Sequence, residues 1–284
     1  MGRVKEIERL MGAHSFTAFR YAGSATPTLF AQKIADLIVD KGLSVDYSMF
    51  GNILISRGEH FDALKNSGCR AIFFGLESGS EEILKTGIGK RFKVSEARKV
   101  LRDCKRNGIF TITSIIFPSP FENEATRNET VELLKDVRPD SVIVTFPVLT
   151  PMTTWAEAPG RFGFRITDER WIENTMDYKI KWLFPPKFWQ ALPYTLNGRK
   201  FREYTRMTSD FTNALRREGF LIGMSDELLL MADRAGFRGR EGSFMNRIMG
   251  TFFSGDWEKA QELSKVINKA VVEKSLQRCV HAIQ

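Results

Sequence analysis

Apolar residues along the first half of the chain recur with two alternating periods. The run Phe16–Tyr21 is short, aromatic and β-prone. In Thr28–Lys41, Phe30, Ile34, Leu37 and Ile38 fall at helical spacing, and Gly42 follows as a C-cap. Ser44–Phe50 predicts a strand and Glu59–Ser67 a helix. Cys69–Leu76 is a continuous apolar run, the pattern of a strand buried on both faces. Ser95–Asn107 sets Ala97, Val100, Leu101 and Cys104 on one helical side before Gly108. Ile109–Phe117 is the strongest strand signal, followed by a helix over Glu124–Val137 and a strand over Ser141–Phe146. Five strand–helix units with short connections predict parallel strands joined by helical crossovers. A barrel or partial barrel places chemistry at the C-terminal strand ends. A doubly wound open sheet is the rival, but no GxGxxG follows any strand.

After Pro159 the pattern changes. Trp171, Tyr178, Trp182, Phe184, Phe188, Trp189 and Tyr194 crowd together, interrupted by Pro185, Pro186 and Pro193. Packing is the default role for such a cluster, and a substrate platform is the alternative. Helical patterns follow over Arg199–Glu218, Ser225–Ala235 and Trp257–Gln277, with starts at Ser225–Asp226 and Ser254–Gly255–Asp256. The division predicted is an α/β unit over 1–158 and a mostly α-helical extension over 159–284.

Charge and composition narrow the function classes. The 284 residues carry a formal net charge of +8. The basic residues are spread along the chain, so a surface bias explains them better than a nucleic-acid partner, and no RNA-binding motif accompanies them. The densest group, Arg234, Arg238 and Arg240, lies among glycines and predicts a solvated loop. No apolar run spans a membrane and MGRVKEIERLMG lacks a signal-peptide core, so a cytoplasmic location is expected. Cys69, Cys104 and Cys279 are too far apart for a zinc pair or a local cluster-binding triplet, and Cys69 and Cys104 are expected as buried small hydrophobes. No metal ligands are assigned.

Three strand ends carry candidate chemistry. Gly75–Leu76–Glu77–Ser78–Gly79–Ser80 brings a carboxylate and hydroxyls to the end of a buried strand, with glycines that let backbone approach a ligand. Ser78 or Ser80 also suits the N-cap of a helix starting at Glu81–Glu82, which leaves Glu77 unexplained. Thr113 and Ser114 interrupt the next β run, where a solvent-facing edge position is the bland reading. Pro147–Thr153 is a proline-rich turn after the fifth strand.

Taken in order, these pieces resemble the radical S-adenosylmethionine (SAM) superfamily, in the branch that often also carries a cobalamin-binding domain. GCRAIFFGLESGSEEILKTGIGK (68–90) resembles its middle-strand signature. SIIFPSPFENEAT (114–126) resembles its Gly-x-Pro-Gly-Glu-Thr turn, with Pro120 and Glu122 matching, Pro118 and Phe121 in place of the glycines and Asn123 in place of Thr. TFPVLTPMTTW (145–155) resembles its Pro-Gly-Thr-Pro turn, with Met152 in place of Gly. The resemblance implies a partial parallel (β/α) barrel of radical SAM type, missing its first strand and followed by the helical extension. It implies SAM as cofactor, with Glu77 and Ser78 near the SAM amino acid or ribose, Lys90 near its carboxylate and Ser114 near its ribose.

One departure matters. The family holds a [4Fe–4S] cluster through a CxxxCxxC loop, and this sequence has none; GRVKEIERLMG resembles the helix that follows that loop. The family's acidic residue after the second strand is also not evident, with Ala22 and Gly23 in that region. Two expectations follow. The favoured one is a truncated radical SAM protein, inactive alone, whose missing part is an N-terminal cluster- or cobalamin-binding region, with an unpaired strand edge at Phe16–Tyr21. The other is a cluster-less relative that binds SAM or a partner without catalysis. The substrate has no readable code in the sequence.

Overall fold

The computed structural model describes residues 2–14, 18–21, 28–56, 60–181, 190–254 and 256–281. Helix α1 (Gly2–His14) precedes β1 (Ala18–Tyr21), α2 (Thr28–Asp40), β2 (Asp46–Gly51), α3 (Phe61–Asn66) and β3 (Cys69–Glu77). A π-helix (Ile83–Ile88) leads to α4 (Val94–Arg106), β4 (Phe110–Ile116), α5 (Glu124–Val137) and β5 (Ser141–Thr145). The five strands form one parallel sheet in the order β1-β2-β3-β4-β5. This is the α/β arrangement of parallel strands with helical crossovers that the alternation predicted.

Strand period decides which side chains meet which layer. In β3, Ile72, Phe74 and Leu76 are buried in the main core with the crossover helices, while Ala71 and Phe73 join the opposite layer. Burying a side chain such as Phe74 is worth about 1.5–3 kcal/mol. Helix α4 sends Ala97, Val100, Leu101 and Cys104 into the main core as its spacing requires.

The C-terminal part comprises α6 (Thr154–Glu157), a 3₁₀ turn (Pro159–Phe162), β6 (Phe164–Ile166), α7 (Trp171–Lys181), β7 (Tyr194–Leu196), α8 (Phe201–Arg217), α9 (Asp226–Arg234), α10 (Glu241–Ser254) and α11 (Trp257–His281). Strands β6 and β7 pair antiparallel. Tyr178, Tyr194 and Trp171 of the aromatic cluster pack in a second core with Phe162, Phe164 and Tyr204, which is a packing role. Trp182, Phe184, Phe188 and Trp189 lie outside the described residues. Helices α9, α10 and α11 pack on the face of the sheet opposite the main core, setting Leu229, Ala232, Phe244 and Leu263, with Met224 just before α9, against Ala71 and Ile112.

Three local expectations are corrected. Arg234 is not in a solvated loop: it ends α9, is buried, and pairs with the buried Asp46 carboxylate, which also accepts from Arg70 Nε at 2.7 Å. Ser114 is not at a solvent-facing edge, because β4 is flanked by β3 and β5 and the neighbouring Thr113 is buried. No serine hydroxyl caps the helix after β3. The backbone carbonyl of Ser80 accepts from Leu84 N–H, and Ser78 Oγ is turned to Thr130 Oγ1 at 3.2 Å.

Candidate functional site

The pairing of β3 with β4 is regular up to Gly75↔Ser114 and then slips, so that Glu77 faces Ile115 and Leu76 is the extra residue. Such a bulge re-aims a side chain where pairing ends. Glu77 completes the turn with φ 68°, in the left-handed region that a non-glycine residue seldom occupies. Its carboxylate swings back over the strand end, where Ser114 Oγ donates to Oε2 at 3.0 Å and Lys90 Nζ lies 3.5 Å from Oε1. The ammonium also donates to the Gly75 carbonyl at 3.2 Å. The Glu77 side chain is 17% exposed and that of Lys90 35%, so both are reachable from solvent.

Gly75 makes the arrangement possible. A Cβ there would lie 2.7 Å from Glu77 Oε1 and 3.3 Å from Lys90 Nζ. Gly79 serves packing instead, since a Cβ would lie 2.5 Å from Thr130 Cα on α5. Ser78 belongs with Gly79: it is buried, and its hydroxyl bonds Thr130 and accepts from Ser80 N–H. The fold therefore brings Glu77, Lys90 and Ser114 together and sets the Ser78 hydroxyl apart, as an anchor of their loop.

Beside this trio a cleft of about 400 Å³ opens between the ends of β2 and β3, lined by Phe50, Asn52, Phe73, Gly75, Lys90 and Arg91 among others. Small-molecule sites have this size. Phe50 and Phe73 meet edge to face, 5.3 Å between centroids. Arg20 stacks its guanidinium 4.5 Å from the Phe50 centroid and forms two hydrogen bonds, of 2.9 and 2.7 Å, with the buried Asp226 carboxylate. Glu227, 3.3 Å from Arg20, has its carboxyl raised by burial. Sequence reasoning missed Arg20, Phe50, Phe73 and Arg91. The available signal was a lone cation inside the aromatic run Phe16–Tyr21.

The trio suits the polar end of SAM. It offers a cation for a carboxylate, a carboxylate for an ammonium or a ribose hydroxyl, and a hydroxyl that can share either bond. The iron–sulfur cluster is a different matter. Cys69 opens β3 at the end of the strand away from Glu77, with its thiol against the Ala71 carbonyl and pushed by burial up to about 12. Cys104 is equally buried, its thiol held against the Ile109 carbonyl and raised well above its ordinary value. Among the described residues no group of three His, Cys, Asp or Glu side chains is placed to hold a metal ion. These residues do not fit the cluster. Ala22 and Gly23 lie outside the described residues, and no described helix is long and apolar enough to cross a membrane.

The parallel sheet brings polar groups together at the ends of β3 and β4. Residues 4–134 match the model of the Radical SAM superfamily, whose members use SAM and a [4Fe–4S] cluster. An uncharacterized methyltransferase of Pyrococcus horikoshii is 26% identical over 129 residues, 44% of this chain and 28% of that protein. The structure of the radical SAM methyltransferase TsrM from Kitasatospora setae, with cobalamin and a [4Fe-4S] cluster bound, matches with a TM-score of 0.59 at 15% identity, over 94% of this chain and 54% of that one. The chain thus spans about half the length of one of these relatives and just over a quarter of the other.

Proposed function

We propose that this chain is the SAM-binding, substrate-orienting part of a radical SAM methyltransferase, and that the cluster thiolates come from polypeptide outside this sequence. The observation that carries the reading is the convergence of Glu77, Ser114 and Lys90 over Gly75. In this reading Lys90 turns from Glu77 to the SAM carboxylate. Glu77 accepts from the SAM ammonium or a ribose hydroxyl, and Ser114 bridges Glu77 to the ribose. Ser78 holds the loop to α5 and acts through Glu77. Phe50 and Phe73 supply an apolar wall that excludes water. Bound SAM supplies an activated methyl group on a sulfonium centre. Methyl transfer is favoured because the matched proteins are described as methyltransferases, and a separate cobalamin-binding region is the partner expected of such a system. Without cluster ligands the chain alone is inactive.

Calorimetric titration with SAM tests the cleft. Glu77→Gln and Lys90→Ala should each weaken binding about tenfold, the equivalent of roughly 1.4 kcal/mol. No heat from the wild type, or unchanged affinity in both variants, would remove the reading. Anaerobic reconstitution with iron and sulfide tests the rest: a stoichiometric four-iron cluster on this chain would overturn the claim that its thiolates come from elsewhere.

A further inference from the structure

A second groove, of about 470 Å³, lies between the loop that follows β3 and helices α4 and α5. It shares no lining residue with the cleft beside Glu77 and Lys90. Its walls are tied together. A Cβ on Gly79 would lie 3.0 Å from the Glu129 carbonyl oxygen on α5. Glu81 Oε1 accepts from the Val94 N–H, which opens α4, at 2.6 Å. Glu81, Glu82, Glu129 and Glu132 line the groove, with Arg98 as its cation. Arg98 Nε lies 2.6 Å from Asp136 Oδ2, so its charge is already met. Among the described residues no hydrogen bond or ion pair reaches the carboxylates of Glu82, Glu129 and Glu132. This acidic spot stands out on a chain of net charge +8.

Local structure accounts for half of these acids. Glu81 and Glu82 precede the π-helix, where the positive end of the helix dipole favours a carboxylate. Glu129 and Glu132 lie well inside α5 and gain nothing of the kind. Three residues apart, they share one helix face at about 5–6 Å and repel each other. A second observation comes from Ser80, which lines the same groove, is 1% exposed and has a hydroxyl with no hydrogen-bond partner. Its N–H donates to Ser78 Oγ at 3.2 Å, and its carbonyl accepts from Leu84 N–H at 2.9 Å. The hydroxyl is therefore the polar group that Ser80 has left for the groove, and a buried polar group without a partner is unfavourable.

We propose that this groove binds a small linear polyamine, an aliphatic chain carrying several ammonium groups. A metal ion suits it less: among the described residues no three His, Cys, Asp or Glu side chains converge as an ion requires, so the carboxylates are spread around the groove. Two ammonium groups joined by three or four methylenes match the separation of Glu129 and Glu132. Val94 and Leu133 offer the methylenes an apolar seat. The Ser80 hydroxyl accepts from an ammonium at the base. No aromatic ring lines the groove, so a quaternary ammonium lacks the π faces that recognise it. The volume is that of a small-molecule site. The proposal does not depend on SAM binding.

The test is calorimetric titration of the full chain with spermine at low ionic strength. The double variant Glu129→Gln/Glu132→Gln should weaken binding about tenfold and Ser80→Ala about threefold. The double variant Glu169→Gln/Glu173→Gln removes the same charge from exposed positions outside the groove and should leave the affinity within about twofold. Absence of spermine binding by the wild type overturns the proposal. So does unchanged affinity in the Glu129/Glu132 pair or in Ser80→Ala. An equal loss in the Glu169/Glu173 pair would reduce the effect to net charge and overturns it as well. Two competitors check the class of ligand. Magnesium that displaces spermine at equal concentration would make the groove a metal site. A tetralysine peptide that binds more tightly than spermine, and is weakened as much by the Glu129/Glu132 pair, would make it a protein-docking site. Either result removes the polyamine assignment.

Discussion

Gly75 and Glu77 occupy the same space from two directions: the carboxylate of the second lies where the first would carry a side chain, 2.7 Å from an ideal Cβ. Gly75→Ala should therefore push the Glu77 carboxylate off Lys90 and Ser114. The expected result is a loss of SAM affinity of about tenfold with a stability cost below about 2 kcal/mol, because the colliding atom belongs to a side chain that can move. Parallel calorimetry and thermal melting check it. Unfolding with unchanged affinity per folded molecule would show that the glycine serves packing.

The ionic cluster beneath the sheet predicts a larger effect. Asp46 is fully buried and pairs with both Arg70 and Arg234. Asp46→Ala leaves two cations facing each other, one of them buried, and removing one partner of a buried pair costs roughly 3–5 kcal/mol. Arg234→Met, which leaves Asp46 its bond from Arg70 and fills the space, should cost distinctly less. Urea denaturation compares them, and equal losses would contradict the arrangement.

Burial holds the Glu122 carboxyl above its ordinary value of 4.5, against smaller lowering by hydrogen bonds from Thr126 and Ser119. The folded state keeps a proton that the unfolded chain releases. Its stabilising contribution is complete below pH 4.5 and is lost as pH rises through the folded value. Glu122→Gln abolishes this titration, so its stability relative to wild type should improve between about pH 4 and 7. Denaturant midpoints across that range test the sign; a difference that stays flat or narrows refutes it.

Cys69 and Cys104 should be chemically silent. Burial raises both thiols, that of Cys69 to about 12, and the thiolate is the reactive form. Iodoacetamide at about pH 8 should label neither in the folded chain and both after denaturation. Rapid labelling of either in the native protein would place it in a different environment.

How much was legible follows from the range over which each feature is specified. The strands, their order and the helix faces depend on local period, so β3, β4, α4 and α5 fall close to where the residues put them. Glu77 and Ser114 stood out because a polar residue that ends or interrupts a buried strand is a local anomaly. Arg234 was misread because its neighbours, Gly236 and Gly239, look like a loop, while Asp46 lies at the far end of the chain. The hairpin β6–β7 has strands of three residues each, too short to show a period. The left-handed backbone at Phe121 and Met152 was marked only by the resemblance, in which each replaces a glycine.

Helices α9, α10 and α11 pack on the face of the sheet opposite the crossover helices, and Arg20 ties the first of them to Phe50 of the cleft. A displacement of that helix is therefore transmitted to the aromatic side of the cleft through a single guanidinium.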